Sequence, residues 1–355
     1  MTTSDQSKLA LVLSGGGIRA MVFHLGVLKL LAEKNLLENV SKISTVSGGS
    51  LIVGLIYQES SLSWPSSSQF KNNVYPVLKR KLCNQSMTLG ALKQLLNPLN
   101  LKFLLSRANL LALSFVNEWG IKAKLGDLPS SPEWAINGTT AETGKRFRFK
   151  YDSFGDYLLG YTESKTYPLA NALAVSAAFP GGFGPLAINT NQYVWKKREE
   201  WNADAKTAKE ITLEYKKLHI YDGGVYDNLG LEPFFDAGKC QSKIDEKIIV
   251  SDAGAPLGQG FDWYVLNPWR LKRIADIMAD QAHALRVRGF AQHLINTNQG
   301  AYFYIADLPT SPDSKFASSF PTTLRRLEID EFDALARHGY AVAQNYIEKY
   351  GALVK

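Results

Sequence analysis

Two stretches carry residue types whose spacing could do chemistry. In Thr45-Val46-Ser47-Gly48-Gly49 a serine lies between a β-branched run (Ile43, Thr45, Val46) and an apolar run, Ser50 to Tyr57, that reads as a helix. A serine at such a strand-to-helix corner is thrown clear of its sheet. The glycines let a reactant approach the backbone, and the helix start brings partial positive charge beside a developing anion. That arrangement suits nucleophilic attack on a carbonyl, with Ser47 as nucleophile and Gly49 supporting the turn. An ordinary serine in a glycine-rich βα loop has the same letters, so Ser47 needs support from elsewhere. The second stretch, Asp222-Gly223-Gly224, follows a short strand pattern, Leu218 to Tyr221. An aspartate there suits an acid or base at the sheet edge that carries Ser47. An Asx-turn in a hairpin is the plainer reading of the same residues. Asp227, Asn228 and Asp252 follow closely, and Asp252 ends another strand pattern, Lys247 to Ser251.

A third glycine cluster supports the pair. Leu9 to Leu13 reads as a strand that runs into Gly15-Gly16-Gly17, followed by a helix whose apolar residues from Met21 to Leu31 keep helical spacing. Amide groups at such a turn gather negative charge. The letters fit neither the phosphate-loop nor the dinucleotide pattern, so an oxyanion hole is the better reading than nucleotide binding. Arg19 either braces this turn, contacts a lipid phosphate or forms a surface ion pair. His24, alone on the first helix, reads as a packed residue. The remaining histidines (219, 283, 293, 338) show no metal-binding spacing, and Cys83 and Cys240 match no ligand or disulfide pattern. No metal and no cofactor is implied, and the cysteine usage suits a reducing, cytoplasmic setting.

The rest of the chain must position these residues. It has 355 residues, 45% hydrophobic and 21% charged, which suits a globular protein with a substantial core. No internal repeat or linker stands out, so residues 1–355 read as one α/β unit. It carries a helical, lid-like insertion at about 60–125 and a helical C-terminal part at about 265–355, the latter including a helix from Trp269 to Asn296. Leu9 to Leu13 is too short for a signal-peptide core, and no apolar run approaches the ~20 residues of a membrane span. The net charge is +7, and between Ser60 and Asn117 there is no Asp or Glu but seven cations. In that insertion Leu89, Leu92, Leu95, Leu96 and Leu99 share a helical face, with Pro98 breaking the helix. Leucines at that spacing either cover the core or enter a headgroup boundary while Lys79, Arg80 and Lys81 meet anionic lipid. Basic residues spread along leucine-rich helices without clustered aromatics favour lipid over nucleic acid. Further on, Trp134 to Asn137 and Lys145 to Lys150 read as strands, Pro168 to Ala178 as a helix, Phe179 to Pro185 as a rigid loop, and Asn191 to Lys217 as a solvated excursion.

Taken together, Gly15-Gly16-Gly17-Ile18-Arg19, Val46-Ser47-Gly48-Gly49-Ser50, Val175-Ser176-Ala177-Ala178-Phe179-Pro180 and Asp222-Gly223-Gly224 resemble the patatin-like phospholipases, in order and in separation. The resemblance spans roughly residues 9–255, and the helical C-terminal part is similar to bacterial members. It implies a three-layer α/β/α fold with a mainly parallel central sheet. It implies a Ser-Asp dyad, Ser47 as nucleophile and Asp222 as base, with the Gly15, Gly16 and Gly17 amides as oxyanion hole and Arg19, Gly223 and Gly224 in support. The expected activity is hydrolysis of membrane phospholipid esters through an acyl-enzyme, by a cytoplasmic protein that meets membranes peripherally. The one departure is Thr45, where the usual elbow has glycine. Two alternatives stand beside this reading. One is an α/β-hydrolase triad using His283, His293 or His338, disfavoured because only one strand precedes the Ser47 strand. The other is a catalytically silent membrane-binding protein, or a lipase switched on by a small nucleotide activator.

Overall fold

Leu9 to Leu13 is apolar at every position because both faces of its strand are covered. The computed structural model describes residues 7–103, 107–179, 184–200, 203–261 and 269–351. The chain opens with β1 (Leu9–Leu13), α1 (Gly17–Glu33), β2 (Val40–Thr45) and α2 (Gly48–Glu59). Three helices follow, α3 (Tyr75–Asn84), α4 (Met87–Gln94) and α5 (Arg107–Trp119). Then come β3 (Glu133–Thr140), β4 (Arg146–Phe149), α6 (Leu169–Ser176), β5 (Lys217–Asp222) and the four-residue α7 (Gly224–Asp227). The chain closes with β6 (Lys247–Asp252), α8 (Trp269–Thr297), β7 (Gly300–Tyr304) and α9 (Ile329–Tyr350).

The sheet order β7-β6-β1-β2-β3 is parallel throughout, and β4 and β5 pair with β3 antiparallel. Helices lie on both faces, which makes the expected three-layer α/β/α arrangement. Leu9, Leu11 and Leu13 enter one core with α1, α2 and α9, while Ala10 and Val12 face a second with Phe235, Val250 and Phe290. Burying each large apolar side chain contributes about 1.5–3 kcal/mol. On the first face α1 and α9 cross in near contact. A methyl group at Gly26 would come within 2.0 Å of the Ala336 carbonyl oxygen, and one at Gly339 within 2.2 Å of that of Phe23.

The 60–125 insertion divides its apolar residues between two roles. Leu78, Leu82, Leu111, Phe115 and Trp119 are buried in the main core, as a core-covering insertion requires. Leu89, Leu92, Leu96 and Leu99 are exposed instead. The helix carrying the first of them ends at Gln94, and Pro98 opens a short 3-10 segment, Pro98–Phe103. Phe147 and Phe149 are buried on β4 while the intervening Arg148 is not, the alternation expected of a half-buried strand. The Asn191–Lys217 stretch departs from expectation. It adds two short strands to the sheet, Trp195–Lys197 and, at the edge, Lys209–Ile211. Three-residue strands rich in Lys and Glu leave no alternating pattern to read. The Phe179–Pro185 loop falls partly outside the described residues, at 180–183. Among the described residues, no helix is long and apolar enough to cross a membrane.

Candidate active site

Register alone brings Ser47 and Asp222 together. Thr45 of β2 sits opposite Ile136 of β3, and Gly138, two residues on, sits opposite Asp222 of β5. Ser47, two residues beyond Thr45, therefore stands at the level of Asp222. The Ser47 hydroxyl is close enough to the Asp222 carboxylate to act on its pKa. Ser47 has φ 49° and ψ −118°, a left-handed conformation that non-glycine residues adopt at a cost on the order of 1–3 kcal/mol. Its backbone is held in place from below. Ser47 N–H donates to Ser176 Oγ at 3.0 Å, and Ser176 Oγ donates to the Asn137 carbonyl at 2.8 Å. Thr45, the departure from the usual elbow, does not obstruct the turn. Its Oγ1 accepts from Trp134 Nε1 at 2.9 Å and lies 2.8 Å from Ser50 Oγ.

Asp222 is 2% exposed, and burial pushes its carboxyl up to about 7, against the lowering effect of the Gly224 N–H and the Ser47 hydroxyl. The Gly224 amide donates to Asp222 Oδ1 at 2.7 Å, so the Asx-turn and the acid-base readings of Asp222-Gly223-Gly224 describe one geometry. Gly223 lets β5 lie close to β3, since a methyl group there would come within 2.6 Å of the Asn137 carbonyl oxygen.

The glycine turn after β1 packs directly on this corner. Methyl groups would collide at Gly48 with the Gly17 carbonyl (2.3 Å) and at Gly49 with the Leu13 carbonyl (2.3 Å). Of the three turn amides, that of Gly15 donates to the Asn228 carbonyl at 3.0 Å and so is not free to meet an oxyanion. Those of Gly16 and Gly17 have no hydrogen-bond partner among the described residues, as the first amides of a helix should. Asn228, read in the sequence only as a neighbour of Asp222, is the residue that ties the two loops together.

Several expectations are corrected. Arg19 is buried, its Nε donating to the Ala253 carbonyl at 3.2 Å and its Nη1 to that of Phe320 at 2.5 Å. It braces the turn against the C-terminal part, one of the readings the sequence offered and not a surface ion pair; burial lowers its pKa to about 10. Lys79 pairs with Asp333 at 2.5 Å and Lys81 with Glu59 at 2.8 Å, which leaves only Arg80 of the basic triplet exposed without an ion pair among the described residues. Residues more than 200 positions away supply one of those partners, a contact no local pattern announces. Among the described residues, none of the three triad histidines hydrogen-bonds Ser47. His283 Nε2 bonds Asp252 Oδ2 at 2.8 Å, and Asp252 also accepts from Tyr302 at 2.6 Å and Gly254 N–H at 2.9 Å. His293 stacks on Phe290, and His338 bonds the Ile305 carbonyl. His24 is packed as expected, between Ser251 Oγ (2.7 Å) and the Ser14 carbonyl (3.0 Å), and burial lowers its pKa to about 4.

Comparison with known proteins bears on this geometry. No curated protein sequence matches the chain. Among solved structures it is similar to human GIVD cytosolic phospholipase A2, with TM-score 0.56 and 13% identity, covering 98% of this chain and 60% of that one. The same enzyme in complex with methyl gamma-linolenyl fluorophosphonate gives TM-score 0.53, 14% identity, and 98% and 58% coverage. VipD from Legionella pneumophila gives TM-score 0.40 and 14% identity, over 98% of this chain and 68% of that one. At these identities the first two likenesses are of fold, and the chain spans about three fifths of the human enzyme's length. The family model described as patatin-like phospholipase matches residues 11–235. That match takes in the glycine turn, Ser47, Ser176 and Asp222, and the chain belongs to the patatin-like phospholipase family.

Proposed function

We propose that this chain hydrolyses carboxylic esters of membrane phospholipids, as a phospholipase A or lysophospholipase. The observation that carries the reading is that Ser47, on a strained strand-to-helix corner, stands at the level of a buried Asp222 whose pKa is lifted to about 7. An ordinary carboxylate, near 3.9, is a weak base toward serine, whereas one near 7 can both take and return a proton at neutral pH. Asp222 removes the Ser47 proton as Oγ adds to the ester carbonyl. The negative charge that forms on the carbonyl oxygen meets the Gly16 and Gly17 amides at the start of α1, each typically worth about 3–4 kcal/mol. The tetrahedral adduct collapses, and Asp222 protonates the departing lysolipid alkoxide. Water, deprotonated by Asp222, then attacks the acyl-serine; its collapse releases fatty acid and restores the Ser47 hydroxyl.

The partner is a lipid surface that the protein meets from one side. Besides the exposed leucines of 89–99, the first half of α8 carries its polarity reversed. Leu271, Ile274, Met278 and Leu285 are exposed along one stripe, about opposite the face on which His283 bonds Asp252. Asp252 ends β6 at the edge where Ser47 stands, so residues 269–282 rise about 20 Å beyond that edge. Lys272 pairs with Asp276 at 2.5 Å and Arg273 donates to the Gly258 carbonyl at 2.7 Å, so the stripe meets lipid through its apolar residues. Mass-spectrometric product analysis of mixed-acyl phospholipid vesicles tests the chemistry. Free fatty acid and lysolipid are expected from the native protein and neither from Ser47→Ala. Equal hydrolysis by both would move the chemistry elsewhere.

A further inference from the structure

A pocket of about 570 Å³ lies on the far side of the catalytic aspartate's loop, between β4, the 197–200 segment and α7. Five cations line it, Arg146, Arg148, Lys197, Arg198 and Lys243, against three carboxylates. Two of those carboxylates are already engaged. Glu232 holds Arg146 at 2.5 Å and Lys243 at 3.5 Å, and Glu199 pairs with Lys209 outside the pocket. Arg148 and Lys197 therefore face the cavity without a carboxylate partner among the described residues, Arg198 Nη1 donates to the Ala203 carbonyl at 3.1 Å, and Glu200 is the one lining carboxylate with no ion pair among the described residues. Arg148 is held over the Tyr161 ring at 4.6 Å, which fixes its guanidinium plane and leaves its N–H edge available. A concave, mostly cationic site with a fixed guanidinium is complementary to a phosphate, which arginine can bind through two parallel hydrogen bonds.

The pocket also touches the catalytic machinery. Arg146 Nη1 donates to Asn137 Oδ1 at 3.2 Å, and the Asn137 carbonyl holds the Ser176 hydroxyl that in turn accepts from Ser47 N–H. Tyr226, another wall residue, lies on α7 directly after the Asp222 turn.

We propose that this pocket binds a phosphate group, free or as a lipid headgroup, on Arg148 and Lys197. The headgroup source rests on the phospholipid reading above; binding itself does not, because it needs no hydrolysis. The test is calorimetric titration of the intact protein with inorganic phosphate at fixed ionic strength. In parallel, co-sedimentation is measured on phosphatidylcholine vesicles with and without phosphatidic acid. Arg148→Glu is compared with Lys122→Glu, an equal charge change at an exposed lysine outside the pocket, and circular dichroism confirms that both variants fold. Saturable phosphate binding, weakened about tenfold or more by Arg148→Glu but not by Lys122→Glu, assigns the site to a soluble phosphate. No phosphate binding, with a phosphatidic-acid preference that only Arg148→Glu removes, assigns it to a headgroup. Equal behaviour of the two variants in both arms overturns the proposal.

Discussion

Replacing Asp222 by asparagine should make the protein more stable at alkaline pH while removing its activity. Burial lifts this carboxyl from its ordinary 3.8 to about 7. The folded protein therefore holds the proton more tightly than the unfolded chain across that interval. The stability contributed by the neutral form is complete below pH ~4 and is lost as pH rises through about 7. At about 1.4 kcal/mol per unit, the ionised carboxylate costs on the order of 4 kcal/mol at pH 8, and roughly 1.5 kcal/mol at pH 5. Asparagine has no proton to lose, and its side-chain oxygen can still accept from Gly224 N–H. Urea denaturation of the two proteins should therefore give a stability gap, in favour of Asp222→Asn, that widens by about 3 kcal/mol between pH 5 and pH 8. Ester hydrolysis should fall by roughly two to four orders of magnitude, the usual worth of a positioned base. A gap that is constant with pH would refute the raised pKa, and a variant that keeps its activity would refute the base.

His283→Ala should leave hydrolysis of a soluble ester within about tenfold while lowering stability by on the order of 2 kcal/mol, because buried Asp252 loses a hydrogen-bond donor. A loss of several orders in rate would restore the triad. On the lipid side, Leu271→Glu with Met278→Glu, or Leu92→Glu with Leu96→Glu, should weaken co-sedimentation with anionic vesicles about tenfold or more and leave the soluble-ester rate nearly unchanged. Equal loss of both readouts would make these faces structural.

That Ser47 and Asp222 meet at one sheet edge was legible in the sequence because each sits next to glycines whose absence of a side chain is a steric demand. Gly48, Gly49 and Gly223 each press on another loop's carbonyl, and such close approaches leave their mark as S-G-G and D-G-G. The parallel sheet was legible for a similar local reason, as Leu9–Leu13 must be apolar on both faces. What escaped were groups defined by distant partners. Lys79 reads as a free cation until Asp333 arrives from α9, and the bracing role of Arg19 stays one of three readings until its partners Ala253 and Phe320 are seen. The reversed polarity of α8 escaped too, because a stripe of Leu271, Ile274 and Met278 looks alike whether it faces a core or the outside. Asn137, which supports Ser47 through Ser176, sits within a strand pattern and carries no signal of its own.

The two-residue site proposed above sets a constraint. With no histidine in that mechanism the base is the carboxylate itself, and what raises its pKa this far here is desolvation. Desolvation destabilises the fold, as does the left-handed backbone at Ser47. Both costs fall on the loops at one sheet edge, and that is where the buried polar bonds concentrate. Arg19 joins the 253 and 320 segments, Asn228 joins the glycine turn to the Asp222 loop, and Asp252 gathers His283, Tyr302 and Gly254. The second carboxylate at that edge is kept ionised: burial alone would raise Asp252, but its bonds to His283 and Tyr302 hold it below the ordinary carboxylate range. Two buried aspartates with opposite shifts divide the work. In the proposed mechanism Asp222 exchanges protons with Ser47, while Asp252 anchors α8.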